Sequence, residues 1–166
     1  MFNKTIIAST VLFATVASAN VEVPITGNVE SKCVIVTDTP GVYANPTTDL
    51  LSTDLSDGGI PAIIRYDIIE ENAYKAKIST PIEFTSSPVL NDVLDFSGTT
   101  SVKEVSDAAM ADFETNKIEW ENVTEFDLTI AGSVWFQPDS QVRYGFGKSF
   151  PGGEYRASIL AECIAK

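Results

Sequence analysis

Histidine is absent from this sequence. Its absence removes Ser-His-Asp and Cys-His catalysis and histidine-based zinc sites. Cysteine is scarce: Cys33 and Cys163 are the only two. Basic residues are few, 11 Lys and Arg against 23 Asp and Glu, for a net charge of −12. No basic patch exists to meet phosphates, so nucleic acid and anionic membrane surfaces are disfavoured as partners. Beyond the N-terminus no apolar run reaches the ~20 residues of a bilayer-spanning helix. No integral membrane segment is therefore expected. Repeats, a βαβ rhythm and a dinucleotide glycine pattern are missing too.

Catalytic and metal chemistry find little to work with. Glycoside hydrolysis needs two carboxylates facing each other across a cleft, and no spacing singles out a pair. Asp54 and Asp57 before Gly58-Gly59, and Asn91, Asp92 and Asp95, resemble fragments of a calcium loop but lack its ligand spacing. They read as solvated loop acids. Asn122-Val123-Thr124 is a glycosylation triplet, which matters only on a eukaryotic secretory route. The chain reads as a non-enzyme, with no catalytic residue, no metal and no cofactor expected.

What is present begins with an export signal. Lys4 supplies a positive start, Ile6 to Val16 an apolar stretch, and Ala17-Ser18-Ala19 a small-x-small cleavage site. Residues 1–19 read as a secretory signal peptide, and 20–166 as a single domain of 147 residues. Losing Lys4 takes the net charge to −13. An exported product passes through the periplasm to the cell surface or beyond. In such an oxidising compartment Cys33 and Cys163 have one internal pairing available, a disulfide across the whole domain.

The body of the chain is punctuated by turn signals every eight to twelve residues. Asp38-Thr39-Pro40-Gly41 is the first, and Val42 to Gly59 reads as a long loop holding a short strand near Asp49 to Ser52. Ala62 to Ile69 is β-branched and reads as a strand. Ala73 to Thr80 alternates, and the pair reads as a hairpin turning at Glu70-Glu71-Asn72. Ser106 to Glu114 carries the one helical window, short and capped by Ser106 or Asp107. Thr124 to Ala131 alternates and is continued by Ser133 to Phe136. Tyr155 to Ile164 is the last strand. This rhythm predicts an all-β antiparallel sandwich with at most one short helix. Trp120, Trp135, Tyr144, Phe146, Phe150 and Tyr155 offer material for a sugar platform, but strand aromatics are more often core or cross-strand pairs.

One stretch stands apart. Val21, Val23, Ile25, Gly27 and Val29 fall on alternate positions of an N-terminal extension, 20–29. Glu22, Pro24, Thr26 and Asn28 take the other phase, so an extended chain shows one apolar face. Cys33-Val34-Ile35 follows. The same segment also suits an ordinary first strand paired within its own domain.

These features resemble the subunits of bacterial chaperone–usher fimbriae (pilins). The likeness rests on the alternation with its internal glycine, the cysteine soon after, and Gly153 ahead of an alternating last strand. The sequence departs from that family at Ala165, where an aromatic is usual, at Cys163, which lies far from the first third, and at Pro24. The resemblance implies an immunoglobulin-like sandwich lacking one strand. It implies that Val21, Val23, Ile25, Gly27 and Val29 form a donor strand for a neighbouring fimbrial subunit. It also implies a periplasmic chaperone and an outer-membrane usher as partners. The alternative is a free secreted or periplasmic β-sandwich that binds a glycan or protein ligand.

Overall fold

The computed structural model describes Pro24, Thr26, 33–145 and 148–166. The expected leader 1–19, the expected donor-strand positions Val21, Val23, Ile25, Gly27 and Val29, and Phe146 lie outside those residues.

The described chain folds into three four-stranded antiparallel sheets. The first is ordered β1 (Cys33–Thr39), β4 (Ile63–Ile68), β10 (Gly132–Pro138), β7 (Thr100–Val105). The second is β2 (Ala44–Thr47), β3 (Leu50–Ser52), β11 (Gln141–Tyr144), β6 (Leu94–Ser97). The third is β12 (Leu160–Ala165), β5 (Tyr74–Ser79), β9 (Val123–Leu128), β8 (Ile118–Trp120).

The first two sheets are halves of one. Thr100 pairs with Pro138 on one side of a corner and Ser97 with Gln141 on the other, in the same register. Asp139 N–H donates to Thr99 O at 2.8 Å between them. Thus β6 and β7 form one long bent strand, paired along its length with β11 and β10. Gly98 makes the corner possible, because a Cβ there would collide with the Asp139 carbonyl oxygen. Thr53 N–H donates to Ser140 O at 3.0 Å, so β3 follows β11 to the same corner.

The third sheet packs against the first. Alternation explains which side chains meet. Ile64, Tyr66 and Ile68 of β4, with Val134 and Phe136 of β10, face Tyr74, Ala76 and Ile78 of β5 and Phe126 and Leu128 of β9. Phe136 lies 4.3 Å from Phe126 and 5.3 Å, edge-on, from Tyr66, ring centre to ring centre. The helical window forms a 3-10 turn at Ala108–Ala111 running into α1 (Asp112–Thr115), capped by Asp107. It seals one side of this core with Met110 and Phe113.

The chain is an all-β antiparallel sandwich with a single short helical segment among the described residues, as the turn rhythm predicts. Three local expectations need correction. β4 and β5 are not a hairpin, since they lie in facing sheets joined by an arch at Glu70-Glu71-Asn72. Ser133 to Phe136 does not continue the Thr124 strand either: β9 and β10 lie in different sheets, and the chain crosses between them before Gly132. Both pairs carry inward apolar residues at period two, and that period says nothing about which sheet a strand joins. Val42 to Gly59 is more than a loop with one strand. It holds β2 and β3 as a hairpin, then a 3-10 turn at Leu55–Asp57 capped by Asp54.

Candidate functional site: an open seam between two edge strands

Strands β1 and β12 are both sheet edges, each paired on one side only among the described residues. They lie side by side because Cys33 and Cys163 form a disulfide, with Cα atoms 6.3 Å apart. The predicted bridge is therefore present, and it pins the two sheets together at one end of a seam. Tyr66 reinforces this end by donating its hydroxyl to the Glu162 carbonyl at 3.3 Å. Burial holds the Tyr66 phenol well above its usual pKa, against the opposing effect of that hydrogen bond.

The C-terminal segment continues back from β12 through Ile159, Ala157 and Tyr155. Arg156 turns both backbone groups toward the 85–86 segment: its N–H donates to Ser86 O at 2.8 Å, and its carbonyl accepts from Thr85 N–H at 2.7 Å. Tyr155 and Ala157, to either side of Arg156, are half-buried. On the facing wall the chain runs from β1 past Gly41 and Val42 to β2. Between the walls lies a cleft of about 840 Å³. Val42, Tyr43 and Leu51 line one side, Phe150, Tyr155 and Ala157 the other.

Three aromatic residues line this cleft, Tyr43, Phe150 and Tyr155. They belong to a ring cluster centred on Phe84, which lies 5.0 Å from Phe96, 5.2 Å from Tyr155 and 6.4 Å from both Tyr43 and Phe150. Tyr144 stacks on Phe150 at 5.2 Å. Each phenol is held in place. Tyr43 shares a 2.7 Å hydrogen bond with Ser140, Tyr144 accepts from Asn91 N–H, and Tyr155 donates to Pro151 O. Burial raises the Tyr43 pKa, a rise that the Ser140 bond opposes. Gly153, at φ +155°, lets the C-terminal segment pass beneath Pro88, whose ring would lie 2.5 Å from a Cβ there.

The seam walls are apolar at period two. Cys33 and Ile35 on one side, and Ile159, Ala161 and Cys163 on the other, pack against the core yet stay partly exposed. On the outer phase, Val34 and Leu160 are exposed by 42% and 58%. Two edges unpaired among the described residues and bordered by alternate apolar side chains are what an added strand requires.

The aromatic residues singled out in the sequence divide. Tyr144, Phe150 and Tyr155 line or support the cleft, whereas Trp120, exposed on β8, and Trp135, partly buried on β10, are not among its lining residues. Tyr43, Phe84 and Val42 carry no strand signal in the sequence: Val42 and Tyr43 fall in the stretch that reads as a long loop, and Phe84 lies between Pro81 and Pro88. Asp54 accepts from Ser56 N–H, and Asp92 pairs with Lys148 at 3.1 Å. Among the described residues no group of three or more acids is arranged to hold a metal ion.

No family model, curated protein or solved structure matches this chain. The functional reading accordingly rests on the geometry of the seam and on the sequence.

Proposed function

We propose that this chain is a structural subunit of a surface fimbria, assembled when the extension 20–29 of one copy fills the seam of the next. The observation that carries this reading is the seam itself: two adjacent edges unpaired among the described residues, tied at one end by Cys33–Cys163, with a cleft lined by the segments that continue beyond the other. A sandwich of this kind is one strand short. The missing strand needs apolar residues at alternate positions, and Val21, Val23, Ile25, Gly27 and Val29 supply them. Gly27 allows a close backbone approach, and Pro24 falls in the opposite phase. Strand addition between copies runs head to tail and does not close, so it builds filaments. Burying Val21, Val23 and Ile25 would contribute roughly 1.5–3 kcal/mol each before ordering costs. In transit the same open seam requires a stand-in strand, the role of a periplasmic chaperone, with an outer-membrane usher beyond it.

A second reading draws on the cleft alone. Its aromatic lining and the Glu154–Arg156 pair at its rim, 2.8 Å apart, suit a ligand of a free exported binding module.

One substitution pair separates the two. In the full chain, Val23→Asp with Ile25→Asp should abolish filament formation, seen by electron microscopy, and leave the monomer folded. Unfolding of the monomer by these changes would assign the strand to its own domain and favour the binding module.

A further inference from the structure

The sandwich has a second pair of edges. β7 ends the first sheet opposite β1, and β8 ends the third opposite β12. An exposed edge is a template for unwanted pairing unless something occupies its backbone groups. β8 is only three residues long, a poor template. β7 is longer, and its treatment is specific.

Thr100 and Val102 are two apart on β7, so their backbone groups point the same way. The Val102 N–H donates to Glu114 Oε2 at 2.6 Å, and the Thr100 carbonyl accepts from Lys117 Nζ at 3.1 Å. The other Glu114 oxygen lies 2.7 Å from that same Nζ, which also reaches Glu119 of β8 at 3.0 Å. One carboxylate and one ammonium thus take up a donor and an acceptor on the edge of one sheet and tie it to the edge strand of the other. The pair is well placed to persist, since the Lys117 side chain is only 19% exposed. Burial works against its charge, but Glu114 and Glu119 outweigh that and lift its pKa above the ordinary lysine value. The short helical segment holds Glu114 over the strand, with Phe113 buried beneath.

We propose that Glu114 and Lys117 latch the second edge against strand addition, so that a strand from another copy is admitted only at the β1/β12 seam. The first half stands on the contacts at β7; the second rests on the seam reading above. An added strand at β7 would have to accept from Val102 N–H and donate to Thr100 C=O, and both groups are already engaged. The latch therefore gives the subunit one receptive side and keeps assembly linear.

The test uses the full chain carrying Val23→Asp and Ile25→Asp, which removes donation to the seam. Adding Glu114→Ala and Lys117→Ala should produce concentration-dependent oligomers in sedimentation velocity. The Val102 amide should exchange about tenfold faster or more, the loss of one charge-assisted hydrogen bond. A variant that stays monomeric with Val102 equally protected overturns the latch. If the double alanine variant unfolds, Glu114→Met with Lys117→Met decides by the same two readouts, because it keeps the aliphatic stems and removes both the acceptor at Val102 N–H and the donor at the Thr100 carbonyl. If the aspartate background unfolds, the seam reading fails on its own terms, and the latch substitutions are read in the unmodified chain.

Discussion

The hydroxyl of Tyr66 donates to the carbonyl of Glu162 across 3.3 Å, joining the centre of one sheet to the edge strand of the other. It lies one residue from Cys163, so a covalent and a polar tie close the same end of the seam. Tyr66→Phe keeps the edge-on contact with Phe136 and removes only the tie. The expected loss is about 1–2 kcal/mol, from the bond and the carbonyl it leaves behind. Chemical denaturation of both proteins at neutral pH measures it.

The same residue sets an alkaline limit. An unfolded tyrosine releases its proton near pH ~10, whereas burial makes folded Tyr66 hold its proton to higher pH. Above ~10 the folded state binds more protons than the unfolded, so stability is complete below that pH and falls as pH rises. Tyr66→Phe should flatten this fall; Tyr43, raised by burial as well, keeps its own share. Urea midpoints of both proteins from pH ~8 to ~11 test the difference, and identical slopes would sink the assignment.

The disulfide spans 130 positions, and the chain-entropy model assigns roughly 4–5 kcal/mol to so long a loop, as an upper figure. Cys33→Ser with Cys163→Ser should lower the urea midpoint by roughly 2 M at a slope of ~2 kcal/mol/M. An unchanged midpoint would mean that the sheets stay together at this end without the bridge.

Gly98→Ala tests the corner of the long sheet. The added methyl meets the Asp139 carbonyl, and Thr80 Cβ lies 3.1 Å away on another side. Backbone on one side and a buried threonine on the other leave little room to yield. A loss of about 1–3 kcal/mol is expected, as for overpacking elsewhere, with a matching fall in melting temperature. No fall would show that the corner relaxes freely.

Strand positions were legible in the sequence to a degree that strand partners were not. Ile64, Tyr66 and Ile68 announce a half-buried strand by period two, and so do Tyr74, Ala76 and Ile78. Nothing in that period shows that the short Glu70–Asn72 link arches between sheets instead of closing a hairpin. Cys33 and Cys163 were legible because two cysteines allow only one internal pairing. The seam depends on which strands remain edges, a property of the whole topology. Glu114 and Lys117 carry a helical spacing that suggests a surface ion pair; only the fold brings both against the backbone of β7.

The cleft offers a way to test the seam from the receiving side. Ala157 lines it and is half-buried, with no part in the main core. Ala157→Trp should fill the space between the Val42 and Tyr155 walls. A large side chain placed in an existing opening displaces water and leaves the packed residues alone, so the monomer should keep its melting temperature within a few degrees, a change of under ~1 kcal/mol. Entry of a strand should nevertheless be blocked. A peptide of the sequence 20–29 should raise the melting temperature of the chain carrying Val23→Asp and Ile25→Asp with Ala157 intact, by mass action on the folded state. The same peptide should leave the Ala157→Trp version unmoved. Equal peptide stabilisation of both proteins would place strand entry elsewhere than this cleft. A ligand-binding module would show the opposite pattern, with no response to the peptide in either protein.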